Sequence, residues 1–311
     1  MEAVNFLITD THFGVKQNSI TWLNYQLEFI YEQLIPDIKQ YKQSNTRLIH
    51  LGDVFDSRSS ISTMVATKVV KALKDLASVV DEFIIIAGNH DFYSPNSDEI
   101  DTLTLLLKDT NIKLVTKEIY ESGDSIYMPW YTWGQDISKY NVKNIFAHTD
   151  IITQPAPYHG VNIFSGHLHI PNLKGSLYNL GSCYALNFAD SNQERGYYIF
   201  KNNELIFHPN IKSIKFWRLY NDDIFKDVMS ELKKDDYIEV YITQSNMLRS
   251  DFIHKVNELL NMYKNIWIIP QTEENVGDNL TKFEGYDIEE ITRGMIPDNL
   301  KKKFQMVLNS Q

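Results

Sequence analysis

The stretch Phe83-Ile84-Ile85-Ile86-Ala87-Gly88-Asn89-His90-Asp91 decides how this chain is read. A short apolar run that stops at a glycine and opens into polar residues is a buried strand feeding a loop. An apolar run that opens into polar residues occurs twice more upstream, the first time without the glycine. Val4–Thr9 runs into Asp10-Thr11-His12, and Arg47–Leu51 runs into Gly52-Asp53. Between these runs, Leu23, Leu27, Ile30, Leu34 and Ile38 recur at helical spacing, which predicts a long amphipathic helix bent at Pro36. Residues Thr63–Val79 read as a second helix. Strand, helix and strand in alternation imply a parallel sheet flanked by helices. Loops at the carboxyl ends of such strands are where ligands bind, and all three polar clusters stand there.

Working outward, the chain turns strand-rich from Lys113 to about His208. The candidates are Lys117–Glu121, Ser125–Met128, Asn144–Ala147, Asn162–Ser165, Ser176–Leu180, Tyr197–Lys201 and Glu204–His208. Asn202-Asn203 suits a tight hairpin between the last two. This predicts a second sheet packed on the first. Beyond Ile211 come a strand near Ile214–Tyr220, a helix near Asp222–Leu232 and a strand at Tyr237–Thr243. A helix with Phe252, Val256, Leu259 and Tyr263 on one face follows, then a strand at Ile266–Ile269. The expected division is therefore a main domain over 1–209, a small α+β accessory domain over 210–272, and a linker with a C-terminal helical segment over 273–311. Thr272–Lys282 is the polar linker, and Ile288, Ile291, Met295, Leu300, Phe304 and Val307 mark two short amphipathic helices around Pro297.

Composition narrows the classes. The 311 residues are 43% hydrophobic and 23% charged, which excludes a mostly disordered chain. Thirty Lys and Arg against forty Asp and Glu give a net charge of -10. That argues against gripping nucleic acid by bulk positive charge, but not against a nucleic-acid substrate held at a metal-loaded site. Cys183 is the only cysteine, so no intrachain disulfide forms and a reducing compartment fits. With no basic leader and no apolar stretch of roughly 18 residues, the expectation is a soluble, cytoplasmic protein without a membrane segment.

Five polar clusters punctuate the first 170 residues: Asp10-x-His12, Gly52-Asp53-x-x-Asp56, Gly88-Asn89-His90-Asp91, His148 and Gly166-His167-x-His169. Carboxylate, carboxamide and imidazole ligands without a thiolate suit borderline-hard divalent ions such as Mn²⁺, Fe²⁺ or Zn²⁺ in an open site. The set is too large for one ion and fits two that share a bridging carboxylate. Any one of these residues alone reads as a turn residue or loop cap. Together, in order and at strand ends, they read as a metal centre.

In this order the clusters resemble the calcineurin-like metallophosphoesterase superfamily. Asp10-Thr11-His12-Phe13-Gly14, Gly52-Asp53-Val54-Phe55-Asp56, Met128-Pro129-Trp130, and Leu180-Gly181-Ser182 with Arg195-Gly196-Tyr197 are similar to the SbcD-type DNA-repair nucleases, and among these to the compact T-even phage type. The resemblance covers about 1–210. It implies a two-sheet αββα sandwich with a small α+β capping domain and a short C-terminal helical tail. It also implies a Mn²⁺-dependent exo- or endonuclease that acts with an SbcC-like SMC-family ATPase on DNA, with the phosphoesterase domain forming a homodimer.

Carried over by position, one ion would be held by Asp10, His12, Asp53 and His169, and the other by Asp53, Asn89, His148 and His167. His90 would act as general acid or electrostatic stabiliser, Asp56 would orient it, and Arg58 would reach a substrate phosphate. The tail would dock on the ATPase rather than on its own domain. Asp91 reads as a partner of its own loop, and His50 as a satisfied core residue. His159, His208 and His254 read as surface or structural. The run Trp130-Tyr131-Thr132-Trp133 suits either a DNA groove or core packing. The competing functions are a small-molecule or cyclic-nucleotide phosphodiesterase with the same site, and a non-catalytic scaffold subunit.

Overall fold

A computed structural model describes residues 3–152, 158 and 160–271. Three short apolar runs form β1 (Val4–Ile8), β2 (Thr46–His50) and β3 (Glu82–Ile86), almost wholly buried. A hairpin of β4 (Phe92–Ser94) and β5 (Ser97–Asp101) follows, then β6 (Lys113–Val115). Next come β7 (Tyr120–Ser122), β8 (Ser125–Met128), β9 (Asn144–His148), β10 (Asn162–Gly166), β11 (Asn172–Lys174) and β12 (Leu177–Asn179). The pair β13 (Gly196–Lys201) and β14 (Glu204–Pro209) completes this part.

Two six-stranded sheets result, in the orders β14-β13-β1-β2-β3-β6 and β11-β12-β10-β9-β8-β7. They share one core. Leu7, Ile49, Leu51, Ile84 and Ile86 from the first sheet meet Tyr127, Phe146, Phe164 and Leu180 from the second. Across the second sheet Tyr127, Phe146, Phe164 and Tyr178 stack ring on ring at 5.2, 5.0 and 4.9 Å, and Phe164 reaches Phe200 of the first sheet at 4.6 Å. Outside the first sheet, the Thr63–Ala77 helix buries Val65, Val69, Ala72, Leu73 and Leu76, capped by the Ser62 hydroxyl on Val65 N. The second sheet's outer residues Ile126, Met128, Ile145 and Ile163 are covered by Ile119, Trp133, Ile137, Tyr140 and Val142. This is the α/β two-sheet sandwich.

Several expectations need correction. The last two strands do not join the second sheet: β13 pairs antiparallel with β1, Phe6 opposite Ile199, and β14 extends that edge. Alternation in a strand does not say which sheet receives it. Lys117–Glu121 yields only the short β7, while β6 joins the parallel sheet beside β3. The long helix is continuous over 20–41, but its irregularity lies ahead of Pro36, in a π-helical stretch at Phe29–Leu34. A wider turn there adjusts the ladder before the residue that lacks an N–H. The segment Asp222–Leu232 forms two 3₁₀ turns, Asn221–Phe225 and Asp227–Ser230, rather than a helix. The Asp223 carboxylate accepts from Tyr220 N and Lys226 is extended, so local caps win over helix growth.

The described residues form two compact units that divide between Lys215 and Phe216. The second unit is an all-parallel sheet of β15 (Phe216–Tyr220), β16 (Tyr237–Thr243) and β17 (Asn265–Gln271). Its core joins Trp217, Leu219, Ile238, Val240 and Ile242 to Phe252 and Leu259 of the Ser250–Met262 helix. Among the described residues no helix is long and apolar enough to cross a membrane. The linker and tail, residues 273–311, and His159 lie outside the described residues.

Candidate metal centre

The carboxyl ends of β1, β2, β3, β9 and β10 open on one place. Asp10, His12 and His169 form one cluster of ligand atoms, and Asp53, His148 and His167 a second, each set within 4.8 Å. His12 Nε2 stands 3.2 Å from His169 Nε2, and both lie 3.9 Å from Asp10 Oδ1. Asp53 Oδ2 lies between the clusters, 3.8 Å from His12 Nε2 and 3.3 Å from His148 Nε2. Asn89 Oδ1 completes the second, 3.1 Å from His148 Nε2 and 2.9 Å from His167 Nδ1.

The backbone is bent to achieve this. Asp10, His12, Asp53 and His167 all adopt positive φ, of 50°, 41°, 53° and 86°. Residues other than glycine seldom do so, and such strain gathers at functional sites. Two glycines make the room. A Cβ on Gly52, whose φ is +100°, would collide with the His148 ring, and one on Gly88 would collide with the Asp53 carboxylate. The turns are laced together: Asp10 N donates to Gly52 O at 3.0 Å, His12 N to Asp53 O at 3.1 Å, and Phe13 N to Val54 O at 2.8 Å. Asp91 fastens two of them. Its buried carboxylate accepts from Gly88 N at 2.9 Å and from Val54 N and Phe55 N at 3.1 and 3.3 Å. Thus Asp91 holds the Asp53 turn as well as its own.

Electrostatics suits cations. Asp10 and Asp53 are 0% and 1% exposed, and buried carboxylates need positive partners. Burial alone would raise the Asp53 carboxyl, but the His148 imidazole, with His12 and His90 nearby, holds it well below the usual carboxylate range. Burial opposes a proton on His148, yet Asp53 pushes it up to about 9. Burial lowers His167 and His169. His148 Nδ1 bonds Leu51 O at 2.6 Å, so one N–H sits there and Nε2 is the nitrogen that offers a lone pair once an ion displaces its proton. Two imidazole nitrogens 3.2 Å apart, with carboxylates around them, need a proton or a cation between them. The donor set therefore fits two divalent ions sharing Asp53.

His90 is not among the clustered donors. Its backbone N–H donates to Asp53 Oδ1 at 2.8 Å, which places the ring beside the centre, 4.9 Å from that of His12. The bond that orients it differs from expectation. His90 Nδ1 pairs at 2.6 Å with the main-chain carbonyl of Asp56, while the Asp56 carboxylate turns to His12 Nδ1 at 3.4 Å. The positive φ at Asp53 and the bond from Asp56 N to Phe13 O swing the turn so that carbonyl and carboxylate face different histidines. At 3.4 Å the second contact is an ion pair rather than a hydrogen bond. It nonetheless raises His12 against the opposing effect of burial. Arg58 is half-buried, and its Nη1 is buried without a hydrogen-bond partner among the described residues.

His50 lies in the core as a neutral imidazole, pushed down to about 3 by burial. It pairs with Thr11 Oγ1 at 2.9 Å and accepts from Gly52 N at 3.2 Å. His208 packs between Tyr41 and Tyr197, and His254 is exposed on a helix. Trp130 rests its ring 4.8 Å from that of His167, a neighbour the sequence reading left undecided.

Among solved structures the chain is similar to a protein of unknown function from Aquifex aeolicus, 16% identical, over 52% of this chain and 88% of that one at a TM-score of 0.30. No curated protein matches the sequence. The calcineurin-like phosphoesterase family model matches residues 6–243, a span containing both ligand clusters, and the chain belongs to that family of metal-dependent phosphoester hydrolases.

Proposed function

We propose that the protein is a two-cation DNA nuclease, the hydrolytic subunit of an ATPase–nuclease complex for recombination or repair. The observation that carries the reading is Asp53 standing between two donor clusters with His90 tethered beside it. Asp10, His12, Asp53 and His169 would hold one ion, and Asp53, Asn89, His148 and His167 the other. When bound, two such ions act as Lewis acids on a phosphate and make hydroxide available near neutral pH. Mn²⁺ suits the oxygen and imidazole donors, with no thiolate among them.

The protein's own residues do the rest. His90, anchored through Nδ1, presents Nε2 to give a proton to the departing oxygen or to steady charge on the phosphate. The Asp56 carbonyl fixes that ring, and its carboxylate steadies His12. Arg58, half-buried on the same turn, is read as the contact to a phosphate of the substrate strand.

A DNA substrate is supported by the run of motifs from Asp10 to Tyr197. The second unit is read as a capping domain, and 273–311 as the segment that docks on the ATPase. Pairing with a second copy belongs to the same reading, with the segment Ile61–Thr67, which leads into and opens the Thr63–Ala77 helix, as its candidate surface. With Cys183 as its single cysteine the chain forms no intrachain disulfide, which is the ground for reading it as a protein of a reducing compartment.

The test is incubation with Mn²⁺ and labelled single- and double-stranded DNA, beside bis-p-nitrophenyl phosphate and cyclic nucleotides. DNA cleavage that needs Mn²⁺ supports the reading. Turnover of the small diesters with no DNA cleavage, even with an SMC-type ATPase present, overturns it in favour of a small-substrate phosphodiesterase.

A further inference from the structure

The Ile20–Glu28 helix buries Trp22 and Leu23, and on the same buried side stands an amide, Gln26, only 1% exposed. Its Nε2 donates to Thr11 O at 2.8 Å and reaches His12 O at 3.4 Å and Tyr184 Oη at 3.0 Å. The Tyr184 hydroxyl, also buried, donates to the same Thr11 carbonyl. Gln26 Oε1 has no hydrogen-bond partner among the described residues. A buried amide oxygen left unpaired is costly, and its retention calls for an explanation.

The gripped peptide supplies one. Thr11 lies between Asp10 and His12, whose positive φ of 50° and 41° aims both side chains into the same cluster. From the other side, Thr11 Oγ1 is held by His50 Nε2 and by Val54 O at 3.2 Å. A turn in that conformation persists only when its surroundings over-determine it.

We propose that Gln26 and Tyr184 are positioning residues that hold the Asp10–His12 turn for the Asp10-His12-His169 cation, and leave the Asp53-His148-His167 cation to be set by Asp91 and the Leu51 carbonyl. The inference rests on the two-cation reading above and deepens it. Residues that orient metal ligands from behind change metal affinity by roughly 10–100-fold when removed.

The test is Mn²⁺ titration by calorimetry and electron paramagnetic resonance on the full chain carrying Gln26→Met or Tyr184→Phe. Gln33→Met is the control. Gln33 is a second buried helix amide, bonded to Pro209 O at 2.7 Å and to Ile211 N at 3.1 Å, and it touches neither ligand turn. The wild type binds two ions. Each clamp variant weakens one of them about 10–100-fold, keeps the other, and regains hydrolysis at raised Mn²⁺. Gln33→Met loses thermal stability yet binds both ions as the wild type does. The inference is overturned if the clamp variants bind both ions unchanged, if they weaken both equally, or if Gln33→Met weakens the same ion. A wild type that fails to bind two ions overturns the two-cation reading itself, and the clamp with it.

Discussion

His90 carries the sharpest residue-scale consequence of this geometry. Its imidazole is held by the Asp56 carbonyl and takes no place in either ligand cluster, so its loss should leave the ions where they are. His90→Ala is expected to lower phosphodiester hydrolysis by about 10²–10⁴-fold, with Mn²⁺ stoichiometry in calorimetry still two. His148 gives a second prediction. Without ions, Asp53 keeps a proton on it up to about pH 9, whereas a ligand must offer a neutral ring. Its raised value means the proton stabilises the ion-free fold below about 6.5 and ceases to do so as pH rises through about 9. Mn²⁺ affinity therefore climbs as pH rises towards about 9, and binding at neutral pH releases a proton. Calorimetry in buffers of differing ionisation enthalpy reads that release directly.

The polar strand-end clusters were legible only as a set: each Asp, Asn or His alone reads as a turn residue, but their order at successive strand ends marks a metal centre. What Asp56 faces was not legible. Choosing between its carbonyl and its carboxylate depends on how the turn swings after Asp53, whose positive φ no spacing reveals. Gln26 left a trace in the sequence, as a polar residue on the buried side of an apolar helix.

At the scale of elements, buried strands were readable and their partners were not. β1, β2 and β3 stand out as apolar runs. Nothing local told β13 to pair with β1 rather than with the second sheet, because that choice is made by the shared core through Phe200 and Tyr198. The connection between β13 and β14 was explicit. Asn202 and Asn203 sit at φ of 51° and 60°, the left-handed pair that a two-residue hairpin demands. Asn202→Val places a branched side chain in that region and should destabilise by about 1–2 kcal/mol in denaturant unfolding, with Mn²⁺ binding unchanged. The misread helix at Asp222–Leu232 shows the converse. Apolar spacing alone cannot overrule a carboxylate that caps its own turn.

On the scale of the whole molecule, two units with separate cores make a calorimetric prediction. The cations are ligands of the first unit alone, since Asp10 through His169 all precede the division at Lys215. At about a hundredfold excess over its dissociation constant, an ion adds about 2.7 kcal/mol to the unit that binds it. For a unit of this size that is a rise of roughly 5–10 °C in Tm. Scanning calorimetry should show one transition that moves with Mn²⁺ and falls back with EDTA, and a second that ignores both.

Anomalous diffraction from Mn²⁺-soaked crystals tests the paired-cation centre most directly. Two peaks are predicted, one among Asp10, His12 and His169 and one among Asn89, His148 and His167, with Asp53 touching both. A map with no peak there, or with Asp53 turned away from a solitary ion, would contradict it.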